Sequence, residues 1–95
     1  MDFKEFVQSI DKNEKPRDVK VEAEALWIER SGDWEEAHRI VQSLESKEAF
    51  LVHAYLHRRE GDIGNAEYWY RRAEKELPNI PLDEEWELIS KALLK

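Results

Sequence analysis

The chain has 95 residues, of which 39% are charged and 41% hydrophobic, and its net charge is −7. This size predicts one domain, residues 1–95, around one hydrophobic core, and the absence of cysteine excludes a disulfide scaffold and thiolate metal sites. The charge argues against nucleic acid as a partner, and no apolar run is long enough for a membrane span. Without an apolar leader at the N-terminus, we expect a cytoplasmic protein.

The first predicted helix covers residues 2–13. Asp2 is its expected N-cap, and Glu5, three residues later, completes a capping box. Apolar residues at helical spacing predict its buried stripe: Phe3, Phe6, Val7 and Ile10. A charged linker follows, and Pro16 suits the first turn of the next helix.

The second and third predicted helices meet at a glycine–aspartate turn. The second helix starts at Pro16 or Asp18 and ends before Gly32, which can adopt the left-handed conformation that stops a helix. Asp33 is the expected cap of the third helix, which runs to about residue 44.

The remaining chain repeats this pattern. Ser46 is the expected cap of a fourth helix over 47–60, and Gly61 and Asp62 separate it from a fifth helix over 63–77. The segment P-N-I-P breaks the chain, and Asp83 is the predicted cap of a sixth helix that ends near residue 94. No segment alternates with the period of a strand, so the predicted fold class is all-α with about six helices.

Residues 25–44 and 54–73 resemble each other at a constant offset of 29 residues. The shared positions are Ala25/Ala54, Gly32/Gly61, Asp33/Asp62 and Ala37/Ala66. In the second copy, five residues stand at the spacing of the tetratricopeptide-repeat (TPR) signature: Gly61, Ala66, Tyr70, Ala73 and Pro78. Over residues 18–78 the chain therefore resembles TPR proteins. The longer string H-A-Y-L-H-R-x-E-G-D also resembles a set of small uncharacterised bacterial proteins.

The TPR resemblance implies a short α-solenoid of two antiparallel helical hairpins, 18–46 and 47–78, with flanking helices at 2–13 and 83–94. TPR-like proteins bind peptides or proteins along a groove lined by the first helix of each hairpin. The resemblance thus implies a non-catalytic protein- or peptide-binding module with an unknown partner. Here the groove residues would be Glu22, Leu26, Glu29, Leu51, Tyr55, Arg58 and Arg59. Apolar residues at the ends of the solenoid could also support a homodimer.

His53 and His57 lie one turn apart on the fourth predicted helix, so both imidazoles project from one face. The corresponding residues of the first copy are Glu24 and Ile28. Glu24 is therefore a predicted half-buried acid that needs a partner, which His53, His57 or Arg72 could supply.

Three interpretations of these histidines remain open. They can belong to a satisfied polar network in the core, or to a pocket for a small anion, with or without catalysis, because arginine and asparagine offer forked donors. They can also form a metal site with Glu24 or Glu60. The pocket residues would be His53, His57, Asn65, Trp69 and Arg72. With no H-E-x-x-H motif, we assign no metal ligand and no cofactor.

Four arginines concentrate positive charge in the second copy: Arg58, Arg59, Arg71 and Arg72. They either pair with neighbouring glutamates or bind an acidic partner segment. No cysteine nucleophile, glycine-rich phosphate loop or G-x-S-x-G motif is present, so no catalytic residue is predicted. The candidate binding residues are His53, Tyr55, His57, Arg58, Arg59, Asn65, Trp69 and Arg72.

Overall fold

Six α-helices form the computed structural model, which describes residues 1–95. They are α1 (Phe3–Asp11), α2 (Val21–Arg30), α3 (Trp34–Gln42), α4 (Lys47–Arg59), α5 (Ile63–Arg72) and α6 (Leu82–Leu93). No residue forms a strand, which confirms the all-α class. None of the helices combines the length and apolarity needed to cross a membrane.

Four of the helices begin at the predicted side-chain caps. The side chains of Asp2, Asp33, Ser46 and Asp62 each accept a hydrogen bond from the backbone N–H three residues later, over 2.8–3.2 Å. At α1, Glu5 also accepts from the Asp2 N–H at 3.1 Å, so the capping box is complete. These caps satisfy amides that a helix leaves unpaired at its start.

Four helices end through the same backbone closure around a residue of positive φ. The closing residues are Asn13 (φ 56°), Gly32 (φ 108°), Gly61 (φ 88°) and Glu74 (φ 60°). In each case the N–H of the following residue reaches back over the turn; at α4, Asp62 donates to the His57 carbonyl at 2.9 Å. The two glycines confirm the predicted stops.

Two predicted boundaries are wrong. Helix α2 begins at Val21 and not at Pro16 or Asp18. The preceding segment is non-helical, and its Val19 packs against the core. Helix α5 ends at Arg72 and not at residue 77. Glu74 adopts the left-handed conformation there, and Lys75 donates to the Tyr70 carbonyl at 2.9 Å.

Asp83 is not the cap of α6, contrary to the sequence prediction. Pro81 holds the N-cap position with no side-chain cap, and the helix starts at Leu82. The Asp83 carboxylate instead accepts hydrogen bonds from Arg30 at 3.2 Å and from Arg59 at 3.0 Å. It therefore links α6 to α2 and α4.

Helix α4 lies at the centre of the packing. Helix α5 packs against it across the Gly61 turn, and α2, α3 and α6 also contact it. Helix α6 lies against both α2 and α4, whereas α1 packs on α2. The main core contains, among others, Phe6, Leu26, Val41, Val52, Tyr55, Leu56, Trp86, Ile89 and Leu93.

Two indole N–H groups attach the terminal helices to α2. Trp86 of α6 donates to the Leu26 carbonyl at 3.1 Å, and its ring lies 5.8 Å from those of Phe3 and Phe6. Trp27 of α2 donates to the Ser9 hydroxyl of α1 at 2.9 Å. Both tryptophans are buried.

The glycine at the α4–α5 turn gives a test of this architecture. We expect Gly61→Ala to lower the free energy of unfolding by about 1 kcal/mol, because an L side chain is strained at its φ of 88° although nothing occupies the added Cβ position. Chemical denaturation measures the change.

Gly64 in α5 supplies the matched control for that substitution. It is helical, and its Cβ position is also open. Gly64→Ala should therefore stabilise the fold by roughly 0.5–1 kcal/mol. Equal effects of the two substitutions would contradict the turn geometry.

Candidate functional site

Three imidazole rings meet between α3 and α4, and we call them the histidine cluster: His38, His53 and His57. One nitrogen from each ring lies within 4.8 Å of the other two. The Nε2 atoms of His38 and His53 are 3.0 Å apart, a hydrogen bond in which one ring donates and the other accepts. His53 and His57 come from successive turns of α4, and His38 comes from the facing side of α3.

Two tryptophans enclose the histidine cluster. Trp34 stacks on His38 with centroids 4.9 Å apart and an interplanar angle of 9°. Trp69 stacks on His53 at 3.9 Å and 14°. The Trp34 indole donates to the Leu56 carbonyl at 2.7 Å, which fixes the ring against α4. The imidazole planes are thus held by packing on both sides.

Hydrogen bonds within the fold satisfy only some of the ring nitrogens of the histidine cluster. His57 Nδ1 lies 2.9 Å from Glu60 Oε1, so a carboxylate orients this ring. His53 is 4% exposed, and its Nδ1 atom is buried without a hydrogen-bond partner. None of the four surface cavities has a cluster histidine in its lining. The cluster therefore offers no open pocket for a substrate-sized molecule.

Burial keeps the rings of His53 and His38 neutral near neutral pH. Desolvation, with the neighbouring His38, His57 and Arg72, lowers the pKa of His53 to about 3. Desolvation and His57 likewise lower the pKa of His38, although Glu60 acts in the opposite direction. Neutral imidazoles repel neither one another nor a cation.

Acid should therefore destabilise the metal-free protein. The unfolded chain binds a proton at this histidine below about pH 6.5, whereas folded His53 stays neutral down to about pH 3. In EDTA, we expect the free energy of unfolding to fall by about 1–2 kcal/mol on acidification from about pH 7 to about pH 5. Denaturation curves across this range measure the loss.

His53→Gln removes the histidine whose pKa is lowered furthest and should make that pH dependence shallower, with His38 supplying the remainder. Carboxylates titrate mostly below this window, so they contribute little to the comparison. A slope as steep in the variant as in the parent chain would contradict the assignment.

A second cluster, which we call the aromatic face, lies on the outer side of α4 and α5. It consists of half-buried Phe50 and Trp69 and exposed Tyr68 and Arg72. The Arg72 guanidinium lies 4.3 Å from the ring centroid of Phe50, 5.0 Å from that of Trp69 and 5.9 Å from that of Tyr68. The rings also contact one another, with Trp69 5.7 Å from Phe50 and 5.1 Å from Tyr68. Arg72 is thus oriented by cation–π contacts.

No carboxylate pairs with Arg72 in the folded chain, and the same holds for exposed Arg71 beside it. Asn65, one turn before Trp69, is exposed on the same side of α5. Asn65, Tyr68, Trp69 and Arg72 thus lie along one face of α5. Asn65 does not, however, reach the histidines.

Arg58 is bound to α6. Its Nη1 donates to Glu85 Oε1 at 2.8 Å, and its Nη2 donates to the Ile80 carbonyl. Glu85 is 4% exposed and also accepts from the Tyr70 hydroxyl at 2.5 Å. Burial and the hydrogen bond to Glu85 raise the pKa of Tyr70. One buried carboxylate thus joins α4, α5 and α6.

Tyr55 and Arg59 form a neighbouring network. The Tyr55 hydroxyl donates to Glu29 at 3.0 Å, and Arg59 lies 3.4 Å from Glu29 and 3.0 Å from Asp83. The Tyr55 side chain is fully buried, which together with Glu29 raises the pKa of its hydroxyl. Four of the groove residues implied by the TPR resemblance therefore pair with one another or with α6: Glu29, Tyr55, Arg58 and Arg59.

The buried carboxylate allows a direct test of this network. Tyr70→Phe should cost about 1–3 kcal/mol of stability, because Glu85 then keeps only Arg58 as a buried partner. Thermal and chemical denaturation measure the loss.

Tyr68→Phe is the matched control for Tyr70→Phe. Tyr68 is 46% exposed, so its substitution should change stability by no more than about 0.5 kcal/mol. A Tyr70→Phe variant as stable as the Tyr68→Phe variant would contradict the role of the hydrogen bond to Glu85.

The sequence predicted part of these arrangements. Of the candidate residues, His53, His57 and Trp69 do meet, and Trp69 also meets Arg72. Glu24 is half-buried, as predicted, but its predicted partner is wrong: the carboxylate pairs with Lys15 of the linker at 3.0 Å. His38 was not among the predicted site residues, although it follows half-buried Trp34 by one helical turn, a spacing that places both on one face.

Comparison of the chain with known protein families, with curated proteins and with solved structures finds no match.

Proposed function

We propose that this chain is a non-catalytic protein-interaction module whose aromatic face binds an acidic segment of a partner protein. One observation supports this most strongly. Arg72 lies over three aromatic rings on an exposed face and has no carboxylate partner, in a chain whose net charge is −7. With so many acids available, an unpaired arginine held in place by rings suits an anionic group from another molecule.

The chemistry of the aromatic face fits such a segment. A guanidinium stacked on rings keeps its N–H groups free at its edge, where a carboxylate can accept two of them. The surrounding rings supply apolar contact area. Tyrosine, tryptophan and arginine are the residues that contribute most to binding at protein interfaces.

The two other candidate surfaces are less suitable. Arg58 and Arg59 already bind carboxylates of α6, so a partner there would first have to displace that helix. The histidine cluster has no cavity for a small anion. The proposal therefore keeps the partner-binding role that the TPR resemblance implies and assigns it to the α4–α5 side, in a cytoplasmic setting that the lack of cysteine suits.

A short fluorescein-labelled peptide of alternating glutamate and phenylalanine is the probe for this face. Fluorescence anisotropy should detect its binding, and Arg72→Gln should weaken it by about tenfold or more, the loss of roughly 1.4 kcal/mol. A second peptide carries glutamine in place of every glutamate. Its affinity for the parent chain should be as low as the affinity of the acidic peptide for the Arg72→Gln variant.

Arg17→Gln is the matched control, because Arg17 is exposed in the linker and carries the same charge. It should leave the affinity unchanged at moderate salt. Equal weakening by the two substitutions would indicate only general charge attraction, and binding that survives Arg72→Gln would refute the proposed face.

A further inference from the structure

We infer that the histidine cluster is a binding site for one divalent transition-metal ion of the Zn²⁺ class, with His38, His53 and His57 as ligands. None of these ligands belongs to the proposed partner surface, although Trp69 borders both sites, and the inference goes beyond that surface. The inference depends on the arrangement of the three rings and on the carboxylate that orients one of them.

The distances between the rings are suitable for one ion. Imidazole nitrogens bind Zn²⁺ at about 2.0–2.1 Å, which places two ligands of a tetrahedral site about 3.4 Å apart. In the cluster, the Nε2 atoms of His38 and His53 are 3.0 Å apart. One nitrogen from each of the three rings lies within 4.8 Å of the other two. Small rotations of the side chains bring them to the required spacing. The i, i+4 relation of His53 and His57 keeps both rings on one side of α4.

Hydrogen bonding within the fold accounts for these rings only in part. Half-buried His38 and buried His53 bond to each other through Nε2, and the buried Nδ1 of His53 has no hydrogen-bond partner. A buried polar atom without a partner costs about 1–3 kcal/mol. Neutral imidazoles placed together in this way are a ligand set that Zn²⁺ can use.

Glu60 gives His57 the environment of a metal ligand. Ligating histidines commonly donate their second ring N–H to a carboxylate, which fixes the tautomer and raises the basicity of the other nitrogen. The contact of His57 Nδ1 with Glu60 Oε1 at 2.9 Å has this form and leaves Nε2 for the ion. Trp34 and Trp69 hold the other two rings by stacking.

The ligand set selects the class of ion. Three imidazoles suit Zn²⁺, Co²⁺, Ni²⁺ and Cu²⁺, whereas Mg²⁺ and Ca²⁺ require oxygen ligands. With three protein ligands, water completes a tetrahedral site. Because no cavity for a substrate is lined by the cluster, the ion would join α3 to α4 and stabilise their packing.

Titration of the EDTA-treated full chain with Co²⁺ and Zn²⁺ tests the site. We expect one ion per chain, with the intense visible absorption of tetrahedral Co²⁺ and its loss when Zn²⁺ displaces it. Zn²⁺ should raise the melting temperature, and Mg²⁺ should not. Absence of the Co²⁺ absorption and of a Zn²⁺-dependent shift would overturn the inference.

Three substitutions locate the ion. His38→Gln, at a half-buried position, should weaken Zn²⁺ binding at least ~100-fold, and Glu60→Gln about 10–100-fold. The control Glu35→Gln, at an exposed position of α3, should leave the affinity unchanged. Normal affinity in His38→Gln would overturn the site.

A neighbouring set of ligand atoms, His57, Glu60 and Asp62, also lies within 4.8 Å. Asp62→Asn keeps the helix cap and distinguishes this alternative. Loss of binding in Asp62→Asn together with retention in His38→Gln would place the ion outside the histidine cluster.

Nitrogen-15 NMR of the unmodified chain makes the test independent of variant folding. The chain has three histidines, and all are in the cluster. Zn²⁺ should shift a ring nitrogen of every one of them. Any histidine left unshifted at saturation would overturn the three-ligand site, and neither result alters the peptide test of the aromatic face.

Discussion

The position of α6 depends on one buried carboxylate. Glu85 accepts hydrogen bonds from Arg58 of α4 and Tyr70 of α5, so three helices converge on two oxygen atoms. A buried charge is tolerated only with such partners, and this contact directs α6 into the space between α2 and α4. That placement determines which surfaces of the central helix stay available. One side of α4 is covered by α6, another holds the histidines against α3, and the outer side carries Phe50 beside the arginine and rings of α5.

Local chemistry made much of the fold predictable. A cap, or a glycine stop, acts within a few residues, and Asp2, Asp33, Ser46, Asp62, Gly32 and Gly61 all function as their spacing indicated. The sequence failed where a distant contact decided the outcome. Val19 packs on the core, and α2 begins only after it. Asp83 accepts hydrogen bonds from two arginines and does not cap α6. Glu74 ends α5 in a left-handed conformation that glutamate seldom adopts.

The candidate sites show the same division. Helical periodicity was sufficient to place Trp69 and Arg72 on one face, and His53 and His57 on another. The third histidine lies on a different helix, so only tertiary packing brings it to the pair. Similarly, nothing near Arg58 or Arg59 in the sequence indicates that α6 returns to bind them.

Trp69 contacts both the histidine cluster and the other residues of the aromatic face. One side of its indole rests on His53 at 3.9 Å, and the guanidinium of Arg72 lies 5.0 Å from the ring centroid. An ion bound to the His53 imidazole would also restrict the Trp69 ring against which Arg72 packs. A peptide bound to Arg72 and Trp69 would restrict the His53 imidazole in return. Thermodynamic linkage makes such an influence reciprocal: whatever factor the ion applied to the affinity for the peptide, the peptide would apply to the affinity for the ion.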